Sequence, residues 1–179
     1  MFILHMVDTT VKKLKSQAAN ILTIANMSFG GASVMATLEG YYSYAVLFIF
    51  IAALLDRYDG KVARKLQQES ELGKQLDSMS DVISFGVAPA LLMYEVVLHD
   101  FSTVGMFMTV LYIVCGALRL ARFNVSEANG YFTGLPITAA GSLLTFTFFF
   151  IQVASPVFYM FLTPILAILM ISTFTMKKV

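Results

Sequence analysis

The sequence has few charged residues and a single cysteine. Charged side chains make up 13% of its 179 residues, against roughly 25% in an ordinary soluble domain. The single cysteine excludes a disulfide-stabilised scaffold and a cysteine-based zinc site. The formal net charge is only +1, which provides no general attraction to nucleic acid, so we expect no nucleic-acid partner.

Hydrophobic residues are abundant instead. They make up 58% of the chain, and the mean hydropathy is +0.78. A soluble domain of this size could not keep so much apolar surface from water, and the same composition excludes intrinsic disorder. We therefore expect residues 1–179 to form a single integral membrane domain that contacts membrane lipid.

The apolar residues occur in continuous runs, which predict an all-α fold with transmembrane helices. The six predicted spans are Ile21–Leu38, Tyr41–Leu55, Leu76–Leu98, Thr103–Leu120, Leu135–Ala154 and Val157–Met176. Breaks at Glu39-Gly40, His99-Asp100 and Ser155-Pro156 separate three pairs of runs. The second run is short, and we expect its helix to continue past Asp56 into a charged extension.

The basic residues predict the orientation in the membrane. With six spans, all 12 Lys and Arg residues fall on one side. The positive-inside rule then predicts a multi-pass protein of the cell membrane with both termini in the cytoplasm. Within the N-terminal segment of residues 1–20, apolar residues recur at helical spacing beside lysines. We expect Thr9–Ala19 to form an amphipathic helix on the inner surface, before a six-helix bundle of residues 21–176.

Four aspartates at helical spacing lie on the cytoplasmic side. They fall on the faces of two helices. The face on the helix that continues the second span is made of Asp56, Asp59, Gly60 and Ala63. The face on the next helix is made of Gly73, Asp77, Asp81, Ser84 and Ala88. The short connection Lys65–Leu72 predicts antiparallel neighbouring helices. The two pairs of aspartates can therefore face each other.

Four carboxylates held together repel one another unless cations neutralise them. Such hard oxygen ligands favour Mg²⁺, Mn²⁺ or Ca²⁺ over zinc. Two ions bridged by carboxylates suit phosphoryl-type displacement, because they stabilise the attacking and the leaving oxygen together. The small residues Gly60, Ala63 and Gly73 permit close helix approach or backbone contact with a flat ligand. Arg64 adds a cation that can bind phosphate oxygens.

The residues from Asp56 to Asp81 fit the pattern D-x2-D-G-x2-A-R-x8-G-x3-D-x3-D without a departure. This pattern resembles the signature of the CDP-alcohol phosphatidyltransferases. The length, the six spans and the amphipathic N-terminal helix are also similar to that family, so the resemblance covers essentially the whole chain.

Other segments resemble the bacterial and archaeal phosphatidylserine synthase branch of the family. They are GALRLARFN at Gly116–Asn124, FTGLPITAAG at Phe132–Gly141 and DVISFGVAP at Asp81–Pro89. The first span resembles the pattern PNxxTxxNxxxG through Asn20, Thr23, Asn26 and Gly30. Ala19 replaces the usual proline of that pattern, a departure that affects the bend before the first span.

The resemblance implies that the hydroxyl of L-serine attacks the β-phosphorus of CDP-diacylglycerol and that CMP leaves. It implies two divalent cations, Mn²⁺ or Mg²⁺, and a homodimer. Its implied metal ligands are Asp56, Asp59, Asp77 and Asp81, with Asp81 also the general base. Its implied contacts to the CDP group are Gly60, Ala63, Arg64, Gly73, Thr23 and Asn26.

Arg119 and Arg122 have two interpretations. They lie where the fourth span meets the cytoplasm, and they either anchor that end or join Asn124 in binding the serine carboxylate or a lipid phosphate. The resemblance favours the anion site. Ser84 is expected either to line the acceptor pocket or to pack between helices.

Two alternative functions remain open from the residues. The first is the same chemistry with glycerol 3-phosphate or inositol phosphate as the acceptor, which would call for more cations in the pocket. The second is a divalent-cation transporter. Transporters usually hold charged ligands near the midplane, whereas the four aspartates here lie at one face.

Overall fold

The computed structural model describes the backbone of residues 2–66, 71–126, 132–172 and 175–176, and the side chains of residues 20–58, 60, 71–125 and 134–172. These parts are almost entirely helical, which confirms the all-α class. The helices are α1 Phe2–Leu38, α2 Tyr42–Leu66, α3 Glu71–Asp81, α4 Ala88–Val96, α5 Ser102–Ser126, α6 Ile137–Phe146 and α7 Pro156–Ile171.

Shorter elements connect these helices. Val82–Val87 forms a π-helical segment that joins α3 directly to α4, and Leu98–Phe101 and Thr147–Phe150 are 3₁₀ turns. A two-residue antiparallel pairing joins β1, Phe132–Thr133, to β2, Thr175–Met176. It brings the segment before α6 beside the segment after α7.

The predicted break at Glu39-Gly40 is a tight helix end. Gly40 has a φ of +78°, a left-handed conformation that glycine adopts without a steric penalty. The Gly40 N–H donates to the Thr37 carbonyl (3.0 Å), and the Tyr41 N–H donates to the Ala36 carbonyl (2.8 Å). This bond pattern closes the end of α1 and turns the chain into α2.

Helix α2 continues past Asp56 as the sequence predicts, and it ends at Leu66. Helix α1 is continuous from Phe2 to Leu38, so the predicted surface segment and the first span are parts of one helix. The side chains of residues 1–19 lie outside the described part. The amphipathic face of Thr9–Ala19 therefore stays a prediction.

Several helices have the length and composition of membrane spans. Among the described residues, Asn20–Leu38, Glu71–Val96 and Leu98–Val125 are long and apolar enough to cross a bilayer, and Ile137–Phe150 and Pro156–Ile171 are shorter apolar helices. One face of α5 exposes large apolar side chains, as expected against lipid: Phe107, Val110, Val114 and Leu118. The chain is therefore a membrane protein, and the count of six spans stays a prediction.

Two groups of buried apolar side chains hold the helices together. The larger group joins α4, α5, α6 and α7 and includes Met93, Leu98, Ile137, Leu144, Leu166 and Met170. The smaller one joins α1, α2 and α4 and is made of Ala36, Ala45, Val46, Ile49, Ala88 and Leu92. Helix α1 also packs against α3, so α1 contacts both helices that carry the aspartates.

Candidate active site

Three of the four predicted aspartates meet in space. One carboxylate oxygen each from Asp56, Asp77 and Asp81 lies within 4.8 Å of the other two. Asp56 is on α2, whereas Asp77 and Asp81 are one turn apart on α3. Asp81 is buried and Asp56 is half-buried. The structure therefore brings the carboxylates of two helices into one cluster, as the spacing predicts.

The cluster is electrostatically suited to a cation. Burial raises the pKa of Asp56, and a hydrogen bond between the carboxyl groups of Asp56 and Asp81 only partly offsets this effect. Oxygens on opposite sides of a Mg²⁺ ion with bonds of about 2.1 Å are about 4.2 Å apart. The three carboxylate oxygens lie within 4.8 Å of one another, so small side-chain rotations would let them share one divalent ion.

The remaining signature residues lie on the same two helices. Asp59 follows Asp56 by one turn on α2, but its side chain and those of Ala63 and Arg64 lie outside the described residues. Gly60 is half-buried on α2, and Gly73 is half-buried on α3. The helical backbone thus agrees with the shared faces that the spacing predicts, and the contacts of Asp59, Ala63 and Arg64 stay predictions.

Thr23 and Asn26 border the helix that carries Asp77 and Asp81. The Ser80 hydroxyl donates to the Thr23 carbonyl (3.3 Å), and the Ser84 hydroxyl donates to the Asn26 carbonyl (3.1 Å). Asn26 is fully buried, and neither polar atom of its side chain has a hydrogen-bond partner among the described residues. An unsatisfied buried amide is costly, so Asn26 has hydrogen-bonding capacity for a ligand.

The helix that carries Asp81 changes its winding immediately afterwards. The π-helical segment Val82–Val87 begins at the next residue, and single π-helical turns inside α-helices are frequent at functional sites. Two glycines on neighbouring helices let the segment approach closely: a methyl group at Gly30 would overlap Ser84, and one at Gly141 would overlap the Phe85 backbone. The face predicted from Gly73 to Ala88 therefore does not lie on one regular α-helix, because the chain is π-helical from Val82 to Val87.

Arg119 faces the aspartate cluster. It is 8% exposed, and its charge interacts with Asp81. Its guanidinium carbon lies 5.7 Å from the centre of the Phe123 ring, within the range of a cation–π contact. The Arg119 Nε has no hydrogen-bond partner among the described residues. A buried cation with an unused donor beside carboxylates is suited to an anionic ligand.

The other predicted pocket residues have protein partners. Arg122 is exposed, and its Nη1 donates to the Ile171 carbonyl at the end of α7 (3.4 Å). Asn124 Nδ2 donates to Ser78 Oγ (2.9 Å), next to Asp77. Ser84 is fully buried, and its hydroxyl bonds to α1 as described above. The structure thus places Arg119 near Asp81 and joins Asn124 to α3 at Ser78, while Arg122 contacts α7.

Sequence reasoning named Ser80 for the acceptor pocket or for helix packing, but it did not identify the roles of Ser78 and Tyr112. Ser78 and Ser80 flank the aspartates and bond to α5 and α1. Tyr112 on α5 donates from its hydroxyl to the Phe85 carbonyl in the π-helical segment (3.2 Å). For Tyr112 the available signal was Pro89, which lacks an N–H and so removes the α-helical donor to the Phe85 carbonyl.

Comparison with known proteins supplies independent information. A family model described as CDP-alcohol phosphatidyltransferase matches residues 16–176. The chain is 39% identical over 132 residues to the CDP-diacylglycerol–serine O-phosphatidyltransferase of Bacillus subtilis, which covers 72% of this chain and 75% of the relative. It is 46% identical over 96 residues to the protein of the same description from Methanocaldococcus jannaschii, covering 54% of this chain and 46% of the relative.

An archaeal relative matches over a longer stretch. The chain is 38% identical over 173 residues to the archaetidylserine synthase of Methanothermobacter thermautotrophicus, which covers 94% of this chain and 73% of the relative. The match therefore includes both the aspartate cluster and α5 with Arg119.

Proposed function

Because this chain belongs to the CDP-alcohol phosphatidyltransferase family, we propose that it transfers the phosphatidyl group of CDP-diacylglycerol to the hydroxyl of L-serine and releases CMP. One observation carries the proposal: the oxygens of Asp56, Asp77 and Asp81, all members of the signature, meet within 4.8 Å. The chemistry of the family requires such a cluster beside a diphosphate.

Serine as the acceptor is supported by what the relatives share. The Bacillus and Methanothermobacter relatives differ in the lipid that their descriptions name, diacylglycerol in one and archaetidyl in the other, but both descriptions name serine. A cation transporter finds no support among these relatives, which are described as transferases and synthases. Glycerol 3-phosphate and inositol phosphate become control acceptors in the test below.

The proposed metal ligands are Asp56, Asp59, Asp77 and Asp81, and the proposed ions are two Mn²⁺ or Mg²⁺. The clustered oxygens of Asp56, Asp77 and Asp81 support this assignment, since a cation relieves the repulsion among the carboxylates. Burial raises the pKa of Asp56, and a bound cation would offset this cost of burying its charged form. When bound, the cations supply positive charge to the diphosphate oxygens and so stabilise the charge that develops on the leaving CMP.

Asp81 is proposed as the general base. A serine hydroxyl is a weak nucleophile at neutral pH, and a positioned carboxylate that accepts its proton makes the attack possible. The substrate oxygen then bonds to the β-phosphorus, the bond from that phosphorus to the bridging oxygen breaks, and CMP leaves with the electron pair. Burial of Asp81 keeps its carboxylate poorly hydrated, which supports this role.

The CDP group is proposed to lie against Gly60, Ala63 and Gly73, with Arg64 on the diphosphate. Thr23 and Asn26 complete this surface from α1. The unused amide of Asn26 supports a polar contact there.

The proposed acceptor pocket contains Arg119, Asn124 and Ser84, with Arg122 at its edge. Arg119 is the best supported of these, because it is buried near Asp81 and retains an unpaired donor among the described residues. A guanidinium in that position binds the carboxylate of the incoming serine or a phosphate of the lipid.

In the membrane, we propose six spans, a homodimer and an active site that faces the cytoplasm. This orientation leaves the acyl chains in lipid and lets soluble serine reach the head group. The one-sided distribution of the 12 basic residues supports it.

The test is CMP release by purified protein in lipid vesicles that contain CDP-diacylglycerol. The acceptor is serine, glycerol 3-phosphate, inositol phosphate or none, and each is combined with Mn²⁺, Mg²⁺ or a chelator. We expect release that requires both serine and a divalent cation. CDP-archaeol in parallel vesicles distinguishes the two lipid donors.

Release with a different acceptor would keep the aspartate chemistry and overturn the assignment of serine. Folded protein that releases no CMP with any acceptor or donor would overturn the proposed function. Folding is checked by a cooperative thermal transition in the same preparation.

A further inference from the structure

One backbone carbonyl near the cluster has no α-helical donor. In a regular α-helix the Phe85 carbonyl would accept a hydrogen bond from the N–H of residue 89, but that residue is Pro89, which has no N–H. The preceding backbone is π-helical, with the Ala88 N–H bonded to the Ile83 carbonyl. The Phe85 carbonyl can therefore accept a hydrogen bond only from the N–H of residue 90, in the π-helical pattern, or from a side chain.

Tyr112 supplies such a side-chain donor. Its hydroxyl lies 3.2 Å from the Phe85 carbonyl oxygen, and both side chains are fully buried. Water cannot easily replace this bond in an apolar core, so loss of the hydroxyl removes a donor from a buried carbonyl. We expect the winding of the segment to change when this bond is lost.

The same face of α5 reaches the aspartate cluster. Arg119 follows Tyr112 by two helical turns and interacts with Asp81. Asp81 in turn precedes Phe85 by about one turn. Helix α5 therefore acts on this part of the chain at two levels: the Tyr112 hydroxyl bonds to the Phe85 carbonyl, and the charge of Arg119 interacts with Asp81.

We propose that Tyr112 is a positioning residue, whose bond to the Phe85 carbonyl holds the π-helical segment in the register that keeps Asp81 in the carboxylate cluster opposite Arg119. The role of Asp81 in the reaction rests on the proposed function, whereas the effect on the position of its carboxylate does not. Tyr112 touches neither substrate nor metal in this proposal.

Tyr159 provides a matched control. It is a buried tyrosine on α7 whose hydroxyl also donates to a backbone carbonyl, that of Thr147, at 3.1 Å. Thr147 follows α6 six residues beyond Gly141, the residue that packs against Phe85. Measured along the direction of α6, this bond therefore lies about 9 Å beyond Gly141, on the side away from Asp81. Its loss costs comparable stability without a direct effect on Asp81.

The experiment compares the wild type, Tyr112→Phe and Tyr159→Phe as full chains in the same vesicles. It measures kcat, the KM values for serine and CDP-diacylglycerol, the thermal midpoint, and the Kd of Mn²⁺ alone by electron paramagnetic resonance. We expect both variants to lower the midpoint equally. Only Tyr112→Phe should lower kcat, by about tenfold with KM within about twofold, because misplacement of a reacting group lowers the rate.

Only Tyr112→Phe should also weaken Mn²⁺ binding, by roughly tenfold, the scale for residues that orient metal ligands. Equal kcat and equal Mn²⁺ affinity in the two variants would overturn the proposal. A raised KM with unchanged kcat and unchanged Mn²⁺ affinity would also overturn it, because it would indicate a substrate contact. A wild type without serine-dependent release would refute the proposed function alone, and the Mn²⁺ comparison would then decide the role of Tyr112.

A second pair of variants applies if Tyr112→Phe does not fold. Gly141→Ala pushes on the Phe85 backbone from α6, whereas a methyl group at Gly31 on α1 meets no atom within 4 Å among the described residues. Weaker Mn²⁺ binding and lower kcat in Gly141→Ala alone would support control of Asp81 through Phe85. Identical values in Gly141→Ala and Gly31→Ala would overturn it.

Discussion

Asp56 and Asp81 lie on different helices, yet a hydrogen bond joins their carboxyl groups. Two acids approach this closely only when a proton or a cation lies between them, since two bare carboxylates repel each other strongly at low dielectric. The fold maintains the approach because α1 packs against both helices. The position of Asp81 therefore depends on how three helices, α1, α2 and α3, pack together.

Asp81→Asn preserves the size of the side chain but removes its charge and its capacity to accept the substrate proton. We expect CMP release to fall by about 10²–10⁴-fold, the usual contribution of a positioned base, and we expect Asp59→Asn to be similarly impaired. Asp100→Asn is the control, because its side chain is 64% exposed beside His99, away from the cluster. Near-wild-type turnover of Asp81→Asn in folded protein would contradict the assignment.

Metal binding should stabilise the folded protein. A ligand that binds only the folded state at 100 times its Kd adds about 2.7 kcal/mol, so Mn²⁺ should raise the thermal midpoint and a chelator should reverse the rise. Asp77→Asn should remove most of this response, because one of the three clustered carboxylates is lost. An equal rise in Asp77→Asn and in the wild type would mean that Mn²⁺ binds elsewhere.

The two arginines of α5 should behave differently. Arg119→Ala removes a buried cation beside Asp81, and we expect the KM for serine or for the lipid to rise at least about tenfold, the cost of losing one charge-assisted hydrogen bond. Arg122→Ala removes an exposed side chain with one long hydrogen bond, and we expect KM to change by less than about twofold. Steady-state kinetics with each substrate varied in turn makes the comparison. Equal effects would place both arginines in one anion site.

Gly30 and Gly31 are neighbours in α1 with different surroundings. A methyl group at Gly30 would overlap the Ser84 side chain and backbone, whereas one at Gly31 meets no described atom within 4 Å. We expect Gly30→Ala to destabilise the protein by about 1–3 kcal/mol, as overpacking does, and Gly31→Ala to be neutral or slightly stabilising. Thermal unfolding in one detergent measures both. A neutral Gly30→Ala would mean that α1 and the π-helical segment can separate without cost.

Much of the candidate site followed from local pattern. Aspartates three and four residues apart must share a face once the segment is helical, and the short connection Lys65–Leu72 predicts that the two helices are antiparallel neighbours. The meeting of Asp56 with Asp77 and Asp81 could therefore be expected from the sequence. The helix end at Gly40 and the continuation of α2 past Asp56 followed from equally local signals, a glycine and the helical spacing of the residues beyond Asp56.

Other features depended on neighbours distant in sequence. The spacing of Arg119 and Arg122 places both near one side of α5, and only the packing around α5 makes the first buried beside Asp81 and the second exposed near Ile171. Asn124 likewise bonds to Ser78 on another helix. Such contacts have no sequence period, because they arise where two independent helices meet.

The sequence by itself determined that the chain is helical, rich in membrane-spanning segments and equipped with clustered carboxylates, because composition and helical spacing act over one or two turns. The tertiary structure decided the winding of the helix after Asp81. Pro89 removes one donor locally, but only the packing of α5 brings the Tyr112 hydroxyl to the Phe85 carbonyl. The physical reason is that Pro89 alone shows that the α-helical donor is absent. Which side chain donates to the carbonyl instead depends on which distant residue the fold brings within reach.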